Sequence, residues 1–299
     1  MAMCCRSSCR PCAKAERAFP TWGGRLSARP SFPNFKNGVA MAKPTDTRYR
    51  VISIVAVGAA LALWAGLSTA GLLEVNKFPP VQAIWKALSD LLTQGYSGRP
   101  FHEQILASVG RALAGFSLAV LAGIPLGIWL GTNRFADAVM SPFLTFMRPI
   151  PPIALVPLFT FYFGIGEGSK IALIFLTAFL YLTVNTAAGV KSVPEDLILA
   201  SRSLGLTRRQ IFFRVIMPAS SAQILTGMRI SMTLSWTLVV AAELIAAQVG
   251  LGYMITDATT FFRIPIVFVG ILTIGLIGLL LEGILLAVER RALHWRGKQ

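Results

Sequence analysis

Long apolar runs alternate with short polar stretches along this chain. Val51–Leu73 carries a charge only beyond its end and is long enough for the ~30 Å of a bilayer core. Further apolar runs follow at Ala112–Asn133, about Pro152–Phe163 and Ile171–Val190, then from near Ser221, and at Ile264–Val288. Six runs of this kind predict an all-α polytopic membrane protein, because only helices or closed barrels satisfy the backbone in lipid. Between the first two runs, Pro79 and Pro80 open a stretch in which Val81, Ile84, Trp85, Leu88, Leu91 and Leu92 share one helical face. That predicts an interfacial helix. Arg134–Met147 reads as a short amphipathic connector, and Gly164–Lys170 as a tight turn. The stretch AAELIAAQVGLGYMITDATTFF predicts a short helix against the outer face.

Two apolar runs carry extra information. Gly115, Ala119, Gly123, Gly127 and Gly131 recur at every fourth position of the second run, a small-residue stripe for close helix packing, and Pro125 is a candidate kink. Pro149, Pro151, Pro152 and Pro157 crowd the start of the third run. Irregular backbone at that depth places the element inside the bundle or along a path, so Pro151 is a candidate path residue.

The longest polar segment between spans is Val193–Ala219, VPEDLILASRSLGLTRRQIFFRVIMPA. Its apolar residues gather at helical spacing, Gly205 and Leu206 interrupt it, Thr207 is a candidate N-cap, and Pro218 closes it. This predicts two short amphipathic helices in a hairpin, a docking surface for a soluble partner.

Composition agrees: 55% hydrophobic, 14% charged, and a net charge of +15. The cations flank apolar spans, which points to a membrane surface rather than nucleic acid. With the amino terminus inside, 21 of the 28 Lys and Arg fall in inside segments and 5 in outside segments. Both termini and the hairpin are therefore expected in the cytoplasm, and the interfacial helix outside. Residues 1–47 are basic, with no apolar signal core. A transit peptide, a disordered cytoplasmic tail and an over-extended reading frame starting before Met41 all fit, and we read the tail as dispensable. Cys4, Cys5, Cys9 and Cys12 all lie in it, so no disulfide is expected in the membrane body and no metal site is expected.

Gly205, nine residues, then Val215-Ile216-Met217-Pro218 resembles the "EAA" loop of the membrane subunits of ATP-binding cassette importers. The family's first three positions are Leu199-Ala200-Ser201 here, so its glutamate is missing, and Met217 stands for its leucine. RPIPPIALVPLFTFYFGIGEGSKI, AAGVKSV, ILTGMRI and WTLVVAAELIAAQVGLGYMI are similar to the nitrate/sulfonate/taurine/bicarbonate branch, with taurine permeases nearest in pattern. The resemblance covers about residues 48–297. It implies a type I permease with a cytoplasmic coupling helix between spans 4 and 5, paired with a second copy of itself. It further implies a cytoplasmic ATP-binding subunit that uses ATP and Mg, a periplasmic binding protein, and an inner-membrane location. The substrate it implies is taurine or a related aliphatic sulfonate, with nitrate or another small anion as the alternative. Carried onto this chain, the coupling residues are Ala200, Ser201, Gly205, Leu206, Arg208 and Pro218. No Walker A sequence is present, so no nucleotide cofactor is expected in this chain and the ATPase must be separate.

Three side chains in the later spans are candidate path or gating residues. Arg229, an intramembrane cation, either attracts an anion or pairs with a carboxylate. Glu243 falls near the outer face and reads as one half of a pair with Arg111 or Arg148. Trp236, like Tyr162, reads as packing ahead of path lining. His102 and His294 sit alone at span ends. A secondary transporter would need inverted repeats and coupling carboxylates at mid-membrane, and the hairpin would go unexplained. A membrane-embedded enzyme would need paired catalytic groups at one depth, and none is present.

Overall fold

The computed structural model describes residues 79–293 together with scattered positions between 51 and 68. The first predicted span, the tail with its four cysteines, and His294 therefore fall wholly or largely outside the described residues. The described elements are helical: α1 (Val81–Gln94), α2 (Phe101–Thr132), α3 (Arg134–Met147), a 3₁₀ turn (Pro152–Leu155) leading into α4 (Val156–Phe163), and α5 (Glu167–Lys191). They continue with α6 (Glu195–Ser203), α7 (Arg208–Ile211), α8 (Met217–Ala246), α9 (Leu251–Thr260) and α10 (Ile264–Ala292).

Among the described residues four helical stretches are long and apolar enough to cross a membrane: 101–132, 167–191, 208–245 and 264–292. A fifth candidate is the pair α3 and 152–163, bent by 88° at the proline-rich break. The expected third span is thus too short alone, and the "connector" before it is a full helix. Pro149, Pro151 and Pro152 explain the corner, since each removes a backbone donor and fixes φ.

α5 is the hub, packed on α2 along one side and α8 along the other. Half of its span window is buried, against 11% for α10, whose Leu272, Leu276, Leu279 and Leu280 face outward. The small-residue stripe makes the α2–α5 approach possible. A Cβ on Gly127 would lie 2.5 Å from the Thr186 Cβ, and one on Gly131 would lie 2.5 Å from the Val190 Cβ. Pro125 sits inside α2 without ending it.

Three boundaries differ from expectation. α2 begins at Phe101 rather than Ala112, because Gln104, Ser108 and Arg111 turn inward to polar partners instead of remaining in an interfacial loop. α5 begins at Glu167, so only Gly164–Gly166 form the turn. The third concerns Pro218, which does not separate the hairpin from the next span. A π-helical turn at Phe212–Ile216 joins α7 to α8 in one 38-residue stretch. The wider turn ahead of Pro218 accommodates the missing N–H and the ring, placing the proline in the first turn of α8.

α1 confirms half of its predicted face. Ile84 and Leu91 are buried, with Leu88 against the same core as Leu251, Met254 and Val269. Val81, Trp85 and Leu92 remain exposed. α9 is the short helix expected within the glycine-interrupted stretch at 241–262.

Candidate functional site

The hairpin is built by two local devices. α6 starts after Pro194 with Glu195 and Asp196 in its first turn, and carries Arg202 in its last, each sign matched to the helix dipole. It ends in a Schellman motif: the Leu206 amide donates to the Ser201 carbonyl (3.2 Å) and the Gly205 amide to the Arg202 carbonyl (2.9 Å). Gly205 supplies the required left-handed residue at φ 78°. Thr207 then caps α7 in a reciprocal capping box. The Gln210 amide donates to Thr207 Oγ1, and the Thr207 amide donates to Gln210 Oε1 at 2.8 Å.

The two faces of α6 differ. Glu195, Ile198, Leu199 and Arg202, at positions i, i+3, i+4 and i+7, line a crevice toward the membrane body. Leu197, Ala200 and Leu204 are not part of that lining and are exposed, Leu204 to 80%; Leu199, on the crevice side, is 50% exposed as well. No atom lies within 4 Å of a Cβ built on Gly205. Ser201, in contrast, is only 7% exposed. Its hydroxyl donates back to the Leu197 carbonyl at 2.6 Å.

A second constellation lies at the other end of the bundle. Glu243, at the end of α8, is almost fully buried. Its carboxylate accepts from Arg111 Nη1 (2.5 Å), Ser108 Oγ (2.8 Å) and the Gly252 amide (2.9 Å). Arg111 also donates to the Val249 carbonyl at 2.7 Å, and both Nε and Nη2 reach the Glu167 carboxylate. Lys170 completes the cluster at 3.3 Å from Glu167. The arrangement caps α9: the Gly250, Leu251 and Gly252 amides are taken by Gln104, Ser108 and Glu243. These are donors that a helix N-terminus leaves without intrahelical partners, and a carboxylate there is favoured by the dipole. Gly250 is required, since a Cβ would lie 2.4 Å from the Glu243 Cδ. Of the two arginines that sequence offered Glu243, Arg111 holds it. Arg148 instead lies over the Tyr181 ring, 5.5 Å from its centroid.

Arg229, on α8, meets two carboxylates of α10: Glu282 at 3.1 Å and Glu289 at 3.2 Å. Trp236 is buried, and its indole donates to the Ile274 carbonyl at 3.1 Å. Tyr162 is exposed, as are Phe161 and Phe163 beside it, and Pro151 is exposed at the α3–α4 corner. His102 has an exposed surface. Outside the spans, Tyr96 donates to Asp257 at 2.6 Å, tying the α1–α2 loop to α9. Burial, then that bond and the Asp257 charge, push the phenol above its ordinary range.

Sequence reasoning missed Glu167, Lys170, Gln104, Ser108 and Glu289. Glu167 lies in the Gly164–Lys170 stretch that the sequence predicts as a tight turn. Its position next to glycines gave no sign that it faces Arg111, 56 residues away.

Long apolar helices with a polar hairpin between two of them define a polytopic, all-helical membrane protein among the described residues. Residues 123–294 match the family of binding-protein-dependent transport system inner membrane components. The chain is 39% identical over 256 residues to the taurine transport system permease protein TauC of Escherichia coli (strain K12), covering 84% of this chain and 92% of that one. It is 34% identical to the nitrate import permease protein NrtB of Synechocystis sp., over 79% of this chain and 86% of that one. A chain of the inward-facing MetNI methionine ABC transporter superposes with a TM-score of 0.57 at 17% identity, over 64% of this chain and 95% of that one, which shows a shared fold. The chain belongs to the inner-membrane permease subunits of binding-protein-dependent ABC importers, in the nitrate/sulfonate/taurine group. It is the multi-pass permease and not the ATPase, and membership implies ATPase and binding-protein partners.

Proposed function

We propose that this permease passes taurine or a related aliphatic sulfonate inward, driven by ATP hydrolysis on a partner that grips the α6–α7 hairpin. The observation that carries the coupling role is the hairpin's outward face. Leu197 is 48% and Leu204 80% exposed on a segment too polar for lipid, so a soluble partner is needed to cover them. Ala200 and the open Gly205 form the contact surface, with Leu206 and Arg208 at its edge. Ser201 fixes the helix end by accepting from Leu206, and Pro218 starts the rigid helix that carries motion into α8. The 39% identity to a taurine permease supports the substrate, and nitrate is the second reading through the 34% relative.

The proposed assembly is a homodimer of six-span chains, the sixth span being residues 51–73, with both termini and the hairpin cytoplasmic. Residues 48–297 are the permease domain, 193–219 the coupling hairpin within it, and 1–47 a dispensable tail. The charge bias across the spans supports the orientation. Glu243 and Arg229 hold helices together, because each charge is already met by a partner, and Trp236 packs α8 on α10. ATP binding shifts the access equilibrium only through its different affinity for the two states of the assembly.

The test is uptake of labelled taurine in cells lacking or carrying this chain, with nitrate and an alkanesulfonate as competitors. Deletion abolishes uptake, and the wild type restores it. A Gly205→Arg variant, with a bulky side chain on the contact surface at a positive φ, does not. Restoration by Gly205→Arg removes the coupling assignment. Taurine uptake unchanged by deletion in a strain with no second system moves the substrate to nitrate or another anion.

A further inference from the structure

Behind the hairpin, the inner ends of α2 and α5 enclose a crevice of about 660 Å³. Its floor is apolar, formed by Val190, Val193, Ile211 and Ile216. Arg134, Lys191, Arg202 and Arg208 also line it. Lys191 is bound to Asp137 at 2.5 Å, and Glu195 is the carboxylate on the lining. Among the described residues, Arg134, Arg202 and Arg208 have no carboxylate within ion-pair distance. Three solvent-exposed guanidinium groups without a carboxylate partner, over an apolar floor, suit an occupant that is anionic at one end and apolar at the other. The depth agrees: Gly131–Thr132 and Val190–Lys191, where the apolar bodies of α2 and α5 end, are part of the lining. With the apolar bodies of α2 and α5 taken as the spans, this is the level at which headgroups lie. The crevice also lies on the opposite face of α6 from Leu197, Ala200 and Leu204, so it meets the proposed ATPase contact only at its edge, through Arg208.

We propose that this crevice is a binding site for an anionic phospholipid of the cytoplasmic leaflet. The phosphate sits among Arg134, Arg202 and Arg208, whose planar forks suit phosphate oxygens, and an acyl chain lies along the floor. Such a lipid bridges the α2–α3 corner to the hairpin, so the leaflet's anionic content tunes how freely the hairpin moves. The proposal rests on the cytoplasmic placement of the hairpin given above.

The test uses the assembled transporter, delipidated in detergent and followed by native mass spectrometry. It is titrated with phosphatidylglycerol, with phosphatidylcholine of the same acyl chains, or with inorganic phosphate. Phosphatidylglycerol binds more tightly than phosphatidylcholine. Arg134→Gln and Arg202→Gln each weaken it about fivefold, as expected for loss of one cation near a headgroup, and leave phosphatidylcholine unchanged. Lys86→Gln, on α1 away from the crevice, has no effect. Having two independent neutral variants, each checked for an unchanged melting temperature, separates loss of the site from loss of the fold. Equal affinity for the two lipids, or full phosphatidylglycerol affinity in both variants, overturns the proposal. Displacement by inorganic phosphate at matched concentration overturns it in favour of a free-anion site. Sidedness is read separately, with Arg134→Cys in a chain whose four native cysteines are serine. Labelling by an impermeant maleimide only from the outer side breaks the orientation reading, whereas lipid binding in detergent is blind to orientation and judges the site alone.

Discussion

Arg111 and Arg229 are each flanked by two glutamates, yet they occupy different physical regimes. The Arg111 side chain is 5% exposed and the Glu243 side chain 0%, and the pair is further met by the Ser108 hydroxyl, the Gly252 amide and the Val249 carbonyl. Arg229 is 33% exposed and Glu282 51%, and the pair joins only α8 to α10. The first cluster joins α2, α5, α8 and the start of α9, so its removal leaves charges and helix-terminal amides buried without partners. The second can relax toward water or headgroups on its Glu282 side, while Glu289 is 16% exposed. An intramembrane charge is therefore judged by how completely it is enclosed, not by its presence in a span.

This comparison can be broken or sharpened by substitution. Arg111→Ala strands the Glu243 carboxylate and is expected to cost about 3–5 kcal/mol, read as a lowered melting temperature of the purified protein in detergent. Adding Glu243→Gln to Arg111→Ala recovers part of that loss, because no charge then remains buried. A melting temperature for Arg111→Ala equal to the wild type would contradict the account. Between the two clusters runs the glycine stripe. Gly127→Ala is expected to cost about 1–3 kcal/mol by overpacking against Thr186, while Gly110→Ala, with nothing within 4 Å of its Cβ, costs nothing. Equal melts for the two alanine variants would show that α2 and α5 yield easily. Glu282→Gln should cost only about 0.6 kcal/mol, the scale of a single interhelical hydrogen bond in a membrane, with uptake retained.

The smallest effect concerns Tyr96. Its folded-state pKa is raised above the unfolded value, so its contribution is fully present below about pH 10 and is lost as pH rises beyond that. Melts at pH 8 and about pH 11 should show a steeper alkaline loss in the wild type than in Tyr96→Phe. Parallel curves would remove Tyr96 from the clamp on α9.

Much of the hairpin was legible because its signals are local. Gly205 as the turn, Thr207 as the cap and the amphipathic spacing of α6 each act within a few residues, and the backbone obeys them. Its junction with α8 was not legible, because a proline reads as a stop unless a π turn ahead of it absorbs the defect. The glycine stripe announced a close neighbour without saying which helix. Ser201 matched a motif position, yet helix phase turned it inward.

By itself the sequence determined the membrane character, most of the helices and the hairpin, since hydropathy, helical period and turn chemistry are properties of adjacent residues. It also carried the family, through spacing and identity over most of the chain. Only the tertiary structure decided that α2 meets α5, that Glu243 takes Arg111 rather than Arg148, and that Glu167 joins them. It alone also gathered Arg134, Arg202 and Arg208 around one crevice. Those pairings span tens of residues, and which distant charges meet depends on helix rotation and depth, which a one-dimensional pattern leaves free.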